Sequence, residues 1–310
     1  MEFFDLKSVE EARTLFLNAS TTQQAATETL ALAQAAGRVT AAPAVATGDL
    51  PPFPRSTVDG YAVRAADTFG ASEALPAYLR LTGEILMGHP PARPLARGET
   101  QKISTGGELP EGADAVVMVE HTEALSADEI GMVRPVSPGE NVIQRGEDCR
   151  KGEVLLPAGQ QLRAQELSLL QAAGILAVSV LRRPRVAIIS TGDELVDPEA
   201  VPGPGQIRES NAAALVALVR RDGGEPQYLG RAADKESEIS ARLREGMTYD
   251  VILISGGSSV GTRDLTATLI AELGQPGILI HGVKLKPGKP TILAVADGHP
   301  VVGLPGHPVS

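Results

Sequence analysis

The stretch Asp250 to Asp264, DVILISGGSSVGTRD, decides the fold. Val251, Ile252, Leu253 and Ile254 make an apolar, mostly β-branched run between Asp250 and the glycine pair Gly256-Gly257. A strand buried on both faces reads this way. Ser255, Gly256, Gly257, Ser258, Ser259 and Gly261 are small enough for backbone amides to face a ligand closely. Asp264 suits a helix N-cap before DLTATLIAEL, where Leu265, Leu269 and Leu273 share one face. Strand, glycine loop and helix start together have the form of an anion cradle. Ordinary strand-to-helix turns use the same residue types, so the flanking chain decides how much weight this carries.

Upstream of that stretch the pattern alternates. VAIIS (186–190) reads as a strand and runs into Thr191-Gly192-Asp193-Glu194. Asn211 is expected to cap a helix carrying Leu215, Leu218 and Val219, stopped at Gly223-Gly224. A strand near Tyr228 ends before Asp234, and a helix with Ile239 and Leu243 leads back to Asp250. Downstream, ILIHGV (278–283) and ILAVA (292–296) are further strands. Repeated βα units predict a three-layer α/β domain with a mostly parallel sheet and ligands at the carboxyl ends of its strands.

The N-terminal half differs. Ser8 and Glu11 make a capping-box pair for a short helix with Val9, Ala12 and Phe16 inward, and a second helix is expected from Thr22 to Ala36, stopped at Gly37. Pro51, Pro52 and Pro54 enforce a stiff, extended segment that presents Arg55, Ser56 and Asp59. Residues 64–145 read as short strands separated by glycine turns, a β-rich and barrel-like pattern. A charged turn, Gln144 to Asp148, and a helix over 164–172 closed by Gly174 follow. The chain is thus an α/β multidomain protein: an N-terminal helical and extended linker domain (1–50 with 146–181), a β-rich domain (51–145) and the α/β domain (182–310).

Bulk properties exclude several classes. A net charge of −10 with 3% aromatics leaves no general basic surface, so nucleic acid is not an expected partner. Cys149 is the single cysteine, which excludes an intrachain disulfide or a thiolate metal cluster. The start, MEFFDLKSVEEAR, is acidic without a long apolar core, and no apolar run reaches membrane-spanning length. A cytoplasmic protein with no membrane partner is expected.

Six carboxylates stand in glycine or turn contexts: Asp59, Asp148, Asp193, Glu194, Asp234 and Asp264. Singly, each is more often structural. Several converging at strand ends repel one another, raise their pKa values or hold a hard cation, and Mg²⁺ fits because it takes one or two carboxylates plus ligand phosphates. The opposite charge is concentrated in Lys284-Leu285-Lys286-Pro287-Gly288-Lys289-Pro290. An exposed helix N-terminus contributes only about 0.3–1 kcal/mol to an anion. A polyanionic ligand therefore needs these lysines or a metal, and the combination suits oxyanion or phosphoanhydride chemistry.

With these residues in view the chain resembles the MoeA family of molybdopterin molybdenumtransferases, related to the E domain of gephyrin. The matching stretches are PPFPRSTVDGYAV (51–63), PEGADAVVMVE (110–120), NVIQRGEDCRKGE (141–153), STGDEL (190–195), IRESN (207–211), SGGSSVGTRD (255–264), KLKPGKP (284–290) and GLPGHPVS (303–310).

The resemblance implies a homodimer whose active site is shared between chains, with Asp59 supplied by the partner's β-rich domain. It implies insertion of molybdate into adenylylated molybdopterin, with Mg²⁺ and release of AMP. An upstream protein of the molybdopterin adenylyltransferase type would supply the substrate. Carried over by motif, Asp59, Asp148, Glu194, Asp234 and Asp264 are the catalytic candidates, and Asp193, Glu194, Asp234 and Asp264 the metal candidates. Ser255, Gly256, Gly257, Ser258, Ser259 and Gly261 would hold the pterin or its phosphate. Lys284, Lys286, Lys289 and Ser310 would meet the anion.

Two alternatives share parts of this pattern, a non-catalytic molybdopterin-binding scaffold and a molybdopterin adenylyltransferase. The latter leaves the proline-rich segment around Asp59 unexplained. Glu209 stands where the family commonly has Asp, and Ser258 where it commonly has Val. The family also continues past a stretch like 303–310, so one face of the sheet is expected to carry an exposed apolar patch.

Overall fold

The computed structural model describes residues 6–20, 26–256 and 262–307, and the side chains among these except those of 262–264. Two compact units emerge, one from residues 29–180 and one from the N-terminal segment up to Glu28 together with 181–310. The N-terminal capping box forms as predicted: the Ser8 amide and hydroxyl donate to Glu11 Oε2 at 2.8 and 2.7 Å, and the Glu11 amide donates to Ser8 Oγ at 3.2 Å. It opens helix α1 (Val9–Ser20).

In the unit of residues 29–180, six strands form one sheet: β1 (Gly60–Val63), β2 (Ala77–Ile85), β3 (Glu99–Ile103), β4 (Ala115–Met118), β5 (Thr122–Ala124) and β6 (Glu129–Met132). Their order is β4-β1-β3-β2-β6-β5, antiparallel except for β2 with β3. Both faces are covered. Val63, Val117 and Met132 lie in one core, while Ala62, Val116 and Ile103 lie in another, as strand alternation requires. A third core gathers Leu32, Leu156, Leu162, Leu170 and Val180 around helix α2 (Ala164–Ala172).

The helix expected over 22–36 is absent from its described part. Thr27–Ala31 is a strand paired with Ala177–Leu181, and Leu32–Gln34 is a single 3₁₀ turn. Two threonines in TETLA and an available pairing partner outweigh the helix propensity of the alanines.

The other unit carries β7 (Arg185–Thr191), α3 (Asn211–Arg221), β8 (Glu225–Ala232), α4 (Glu236–Gly246), β9 (Val251–Gly256), α5 (Thr262–Glu272), β10 (Pro276–His281), β11 (Ile292–Ala296) and β12 (His299–Leu304). The sheet order is β8-β7-β9-β12-β11-β10. Strands β8, β7, β9 and β12 run parallel, whereas β11 is antiparallel to both its neighbours. The reversal sits at Asp297-Gly298, both at positive φ (47° and 87°), the conformation a tight hairpin between β11 and β12 requires. The sheet is therefore mixed, with a parallel half that holds the predicted βα units.

Helices α4 and α5 cover one face, where Ile189, Ile252, Ile254, Ile239 and Leu243 are buried together and Leu269 packs as its spacing predicted. Helix α3 covers Val186 and Ile188 on the opposite face, and α1 covers Ile280 and Val283 there through Ala12. One expectation is corrected by this. Helix α1 belongs with the α/β unit rather than with a 1–50 linker domain, because Ala12 finds its apolar partners on β10. Between the parts of that face covered by α3 and α1, Leu253, Val302 and Leu293 stand side by side and are only partly buried. Among the described residues, none of the large hydrophobics on β7 to β12 is fully exposed.

Candidate functional site

Register aligns the strand ends. Thr191 pairs with Ala232 on one side and with Gly256 on the other, and Ser255 pairs with Leu304. The segments after β7, β8, β9 and β12 therefore leave the sheet along one edge. Ile254, Gly303, Ile292 and His281 form one row across β9, β12, β11 and β10. The lysine loop after β10 thus starts at that edge as well, three strand spacings or about 14 Å from β9.

Two glycines make the edge open. Gly256 has φ +130°, and a Cβ there would lie 2.0 Å from the Thr191 carbonyl oxygen and 2.4 Å from its Oγ1. Gly192 has φ +147°, and a Cβ there would lie 2.6 Å from Glu194 Oε2. Both positions favour glycine by conformation, and Gly256 requires it by space as well, because the atoms it would strike are backbone.

A cavity of about 120 Å³ opens beside them, lined by Thr191, Glu194, Leu195, Ile207, Asn211, Ser255, Gly256, Gly306 and His307. Thr191 Oγ1 and Ser255 Oγ are buried with no hydrogen-bond partner among the described residues. Buried hydroxyls are normally satisfied, so an unpaired pair at a cavity wall points to a ligand. Asn211 was expected to cap α3. It is instead the first helical residue, and its Nδ2 donates to the Gly306 carbonyl at 2.8 Å. Buried Glu209 takes over the capping, since its Oε1 accepts from the Ala212 amide at 2.8 Å and from Ser190 Oγ at 3.0 Å.

The carboxylates after β7 and β8 lie close together. Asp193 Oδ1 accepts from the Asp234 amide at 3.0 Å. Asp234 is half-buried, and its Oδ1 has no partner among the described residues. Burial pushes the Asp234 pKa up, and the charges of Asp193 and Glu194 push it further, against the lowering effect of its hydrogen bonding with Asp193. Glu194 and Asp193 are exposed. Asp264 is the third residue of α5 rather than its N-cap, and its side chain lies outside the described residues, as do Gly257, Ser258, Ser259, Gly261 and Ser310. Among the described residues, no group of three or more His, Cys, Asp and Glu side chains is arranged to hold a metal ion.

Lys284, Lys286 and Lys289 are exposed. Lys284 lies near enough to Glu11 to help lower that carboxyl's pKa, after the larger effect of its hydrogen bonds with Ser8.

In the unit of residues 29–180, Asp59 is exposed and its Oδ1 accepts from the Thr105 amide at 2.8 Å and hydroxyl at 3.2 Å. Asp148 is exposed, and its amide donates to the Leu50 carbonyl at 2.9 Å. Thr191, Asn211 and His307 were not singled out as ligand contacts from sequence, because a lone polar residue beside a glycine carries no ligand signal until register places it at the strand ends.

Two family models cover most of the chain: "MoeA N-terminal region (domain I and II)" over residues 7–174 and "Probable molybdopterin binding domain" over residues 187–310. The chain belongs to the MoeA family. A molybdopterin molybdenumtransferase from Nostoc sp. is 38% identical over 92% of this chain and 66% of its own length. The Bacillus subtilis protein of that name is 36% identical over 92% and 67% respectively. The chain thus spans about two thirds of the length of these curated relatives. Crystal structures of the molybdopterin biosynthesis MoeA protein from Pyrococcus horikoshii match 99% of this chain and 76% or 75% of theirs, with TM-scores of 0.82 and 0.85 at 40% and 37% identity. Among the described residues no helix is long and apolar enough to cross a membrane.

The MoeA family assignment brings the two halves of the sequence reading together. The proline-rich segment with Asp59 and the β-rich sheet fall within the first family model, and the glycine-loop stretch falls within the second.

Proposed function

We propose that this chain is a molybdopterin molybdenumtransferase that inserts molybdenum from molybdate into adenylylated molybdopterin and releases AMP. The observation that carries the reading is the strand-end cluster. Among the described residues the Thr191 and Ser255 hydroxyls there lack partners and Asp234 has an unpaired buried oxygen, and the lysine loop opens at the same edge.

Asp234 fits a role in holding Mg²⁺. Its unpaired Oδ1 and upward-shifted pKa are what an anionic site lacking a nearby cation presents, and Mg²⁺ needs only one or two carboxylates when phosphate oxygens complete its shell. Asp234, with Asp193 and Glu194 near it in space and Asp264 as a further candidate by motif, would hold the ion, which would neutralise phosphate charge during cleavage of the pterin–AMP link.

The protein's own side chains do the rest. Thr191 and Ser255 hydrogen-bond the ligand and orient it. A carboxylate of this cluster that does not hold the ion takes a proton from the water that attacks the phosphorus. Lys286 and Lys289 draw molybdate to an otherwise acidic protein.

We infer further that the enzyme is a cytoplasmic homodimer and that Asp59 and Asp148 act in a site completed by the partner. An adenylyltransferase-type protein would act upstream. Incubating purified protein with adenylylated molybdopterin, molybdate and Mg²⁺ tests the reading. AMP release with formation of molybdenum cofactor is expected, and failure of both would sink it.

A further inference from the structure

We propose that buried Glu209 is a positioning residue of the strand-end site: its carboxylate sets how Asn211 stands relative to Thr191, without touching ligand itself. The inference takes its substrate from the molybdopterin reading above, while its geometry is independent of that reading.

Glu209 joins two segments of the site from behind. Its Oε1 accepts from Ser190 Oγ at 3.0 Å and from the Ala212 amide at 2.8 Å. Ser190 immediately precedes Thr191 at the end of β7, and Ala212 immediately follows Asn211 at the start of α3. Thr191 and Asn211 line the cavity, whereas Glu209, Ser190 and Ala212 do not. One oxygen atom therefore holds a neighbour of each wall.

The two bonds serve different ends. Ala212 is the second residue of α3, and amides in a first turn have no partner within their helix. The bond from its amide is ordinary capping. The bond from Ser190 contributes nothing to the cap. Alternation along β7 puts Ser190 in the row of Val186 and Ile188, on the face that α3 covers. Ser190 is fully buried, and Tyr228 on β8 hydrogen-bonds the same side chain. What the Ser190 bond adds is the seating of the start of α3 on the end of β7.

The backbone of Glu209 is also fixed. Its amide donates to the Val196 carbonyl at 2.9 Å, and the short strands Leu195–Val196 and Ile207–Arg208 pair just before it. The chain therefore cannot slide to make up for a shorter side chain. Aspartate has one methylene fewer and reaches about 1.5 Å less far. Starting from bonds of 2.8 and 3.0 Å, it loses one donor unless α3 shifts toward β7. The length of the side chain matters here as well as its charge.

Glu209→Asp, Ser190→Ala, Ser190→Thr and the double variant of the first two are assayed with adenylylated molybdopterin, molybdate and Mg²⁺. Glu209→Asp and Ser190→Ala are each expected to raise KM about tenfold with kcat within about twofold, the size of one hydrogen bond to a charged group. Ser190→Thr keeps the hydroxyl and should keep the wild-type KM. Because both residues act through one tie, the double variant should be no worse than the poorer single one.

The Asn211 side-chain amide gives a readout that needs no activity. Its NMR signal, identified by its absence from Asn211→Ala, should shift in Glu209→Asp and in Ser190→Ala, because its bond to Gly306 moves with α3. A merely structural pair would lower the urea midpoint and leave both KM and this signal unchanged. An unchanged KM or an unchanged Asn211 signal in the folded variants would overturn the proposal, as would a fall in kcat at constant KM. If the wild type releases no AMP, the molybdopterin reading fails, and the Asn211 signal still decides the role of Glu209.

Discussion

Gly256 lies against Thr191 so closely that no side chain fits between them: a Cβ on Gly256 would come within 2.0 Å of the Thr191 carbonyl oxygen. The same residues are the last paired rung of the two central parallel strands. The chain thus places one of its closest backbone approaches at the point where both strands release their loops toward the candidate ligand. Gly256→Ala must push Thr191 away and also adopt a φ near +130° that alanine disfavours. The backbone term alone costs about 1–3 kcal/mol. We expect a lower urea midpoint, and loss of AMP release beyond what the lost stability accounts for, since Thr191 would move out of the cavity wall.

Asp234 gives a pH signature. Its pKa is raised by burial and by Asp193 and Glu194, so the folded state prefers it protonated more than the unfolded state does. Stability from this group therefore falls as pH rises from the ordinary aspartate range through the raised folded value. Asp234→Asn should unfold at higher urea than the wild type at pH 7, with the advantage shrinking below the ordinary aspartate range. The same variant should lose AMP release. A variant less stable than the wild type at pH 7 would contradict the assigned cause of the shift.

Asp250 titrates in the opposite sense. Burial raises its pKa, yet hydrogen bonds from Arg182 Nη2 (2.9 Å) and the Arg185 amide (2.6 Å) outweigh that and lower it. Its own amide donates to the Arg185 carbonyl at 2.9 Å, so the residue ties the start of β9 to the start of β7. Because the folded pKa is depressed, its contribution is present above the ordinary aspartate range and lost as pH falls through the folded value. Arg182 is about a third exposed, so we discount the pair for screening and expect Asp250→Asn to cost about 1–2 kcal/mol at pH 7. Urea titrations at pH 7 and below the ordinary aspartate range should show the difference closing, with ligand binding unchanged.

These residues show how much the sequence discloses. Val251 to Ile254, the helix over 164–172 and the Ser8–Glu11 box are written in local chemistry, and local chemistry is what a single sequence displays. The 22–36 segment misleads because alanine-rich composition is weaker than a strand partner some 150 residues away. Helix α1 looks like part of the N-terminal region until Ala12 is seen against Ile280. At the candidate site the glycines and acids are legible, because few residue types serve those purposes. Thr191 and Asn211 are not, since their significance comes from register and from a bond to Gly306, both long-range facts.

Asn211 allows a test of that long-range bond. Its Nδ2 joins the start of α3 to the turn after β12 across the cavity mouth. Asn211→Ala removes one neutral hydrogen bond, worth about 0.5–1.5 kcal/mol. We expect an increase in KM for adenylylated molybdopterin of several-fold with kcat nearly unchanged, because the residue positions the Gly306–His307 turn and performs no proton transfer. A fall in kcat at constant KM would place Asn211 in the chemistry instead.

The lysine loop supplies the last prediction. Lys286 and Lys289 are exposed, have no ion pair among the described residues, and sit on a chain of net charge −10. Two unpaired lysines contribute nothing measurable to folding through their charges, so removing them should leave the urea midpoint within about 0.5 kcal/mol of wild type. They matter if they gather an oxyanion at the strand ends. An exposed clamp of this kind is screened over roughly 8–10 Å at physiological salt, so its contribution must fade as salt rises. Lys286→Ala with Lys289→Ala should therefore raise the molybdate concentration needed for half-maximal cofactor formation at low salt, by tenfold or more. At high salt the wild type and the variant should converge. Equal molybdate dependence at low salt would return the loop to an ordinary solvated surface and move the oxyanion site elsewhere on the sheet edge.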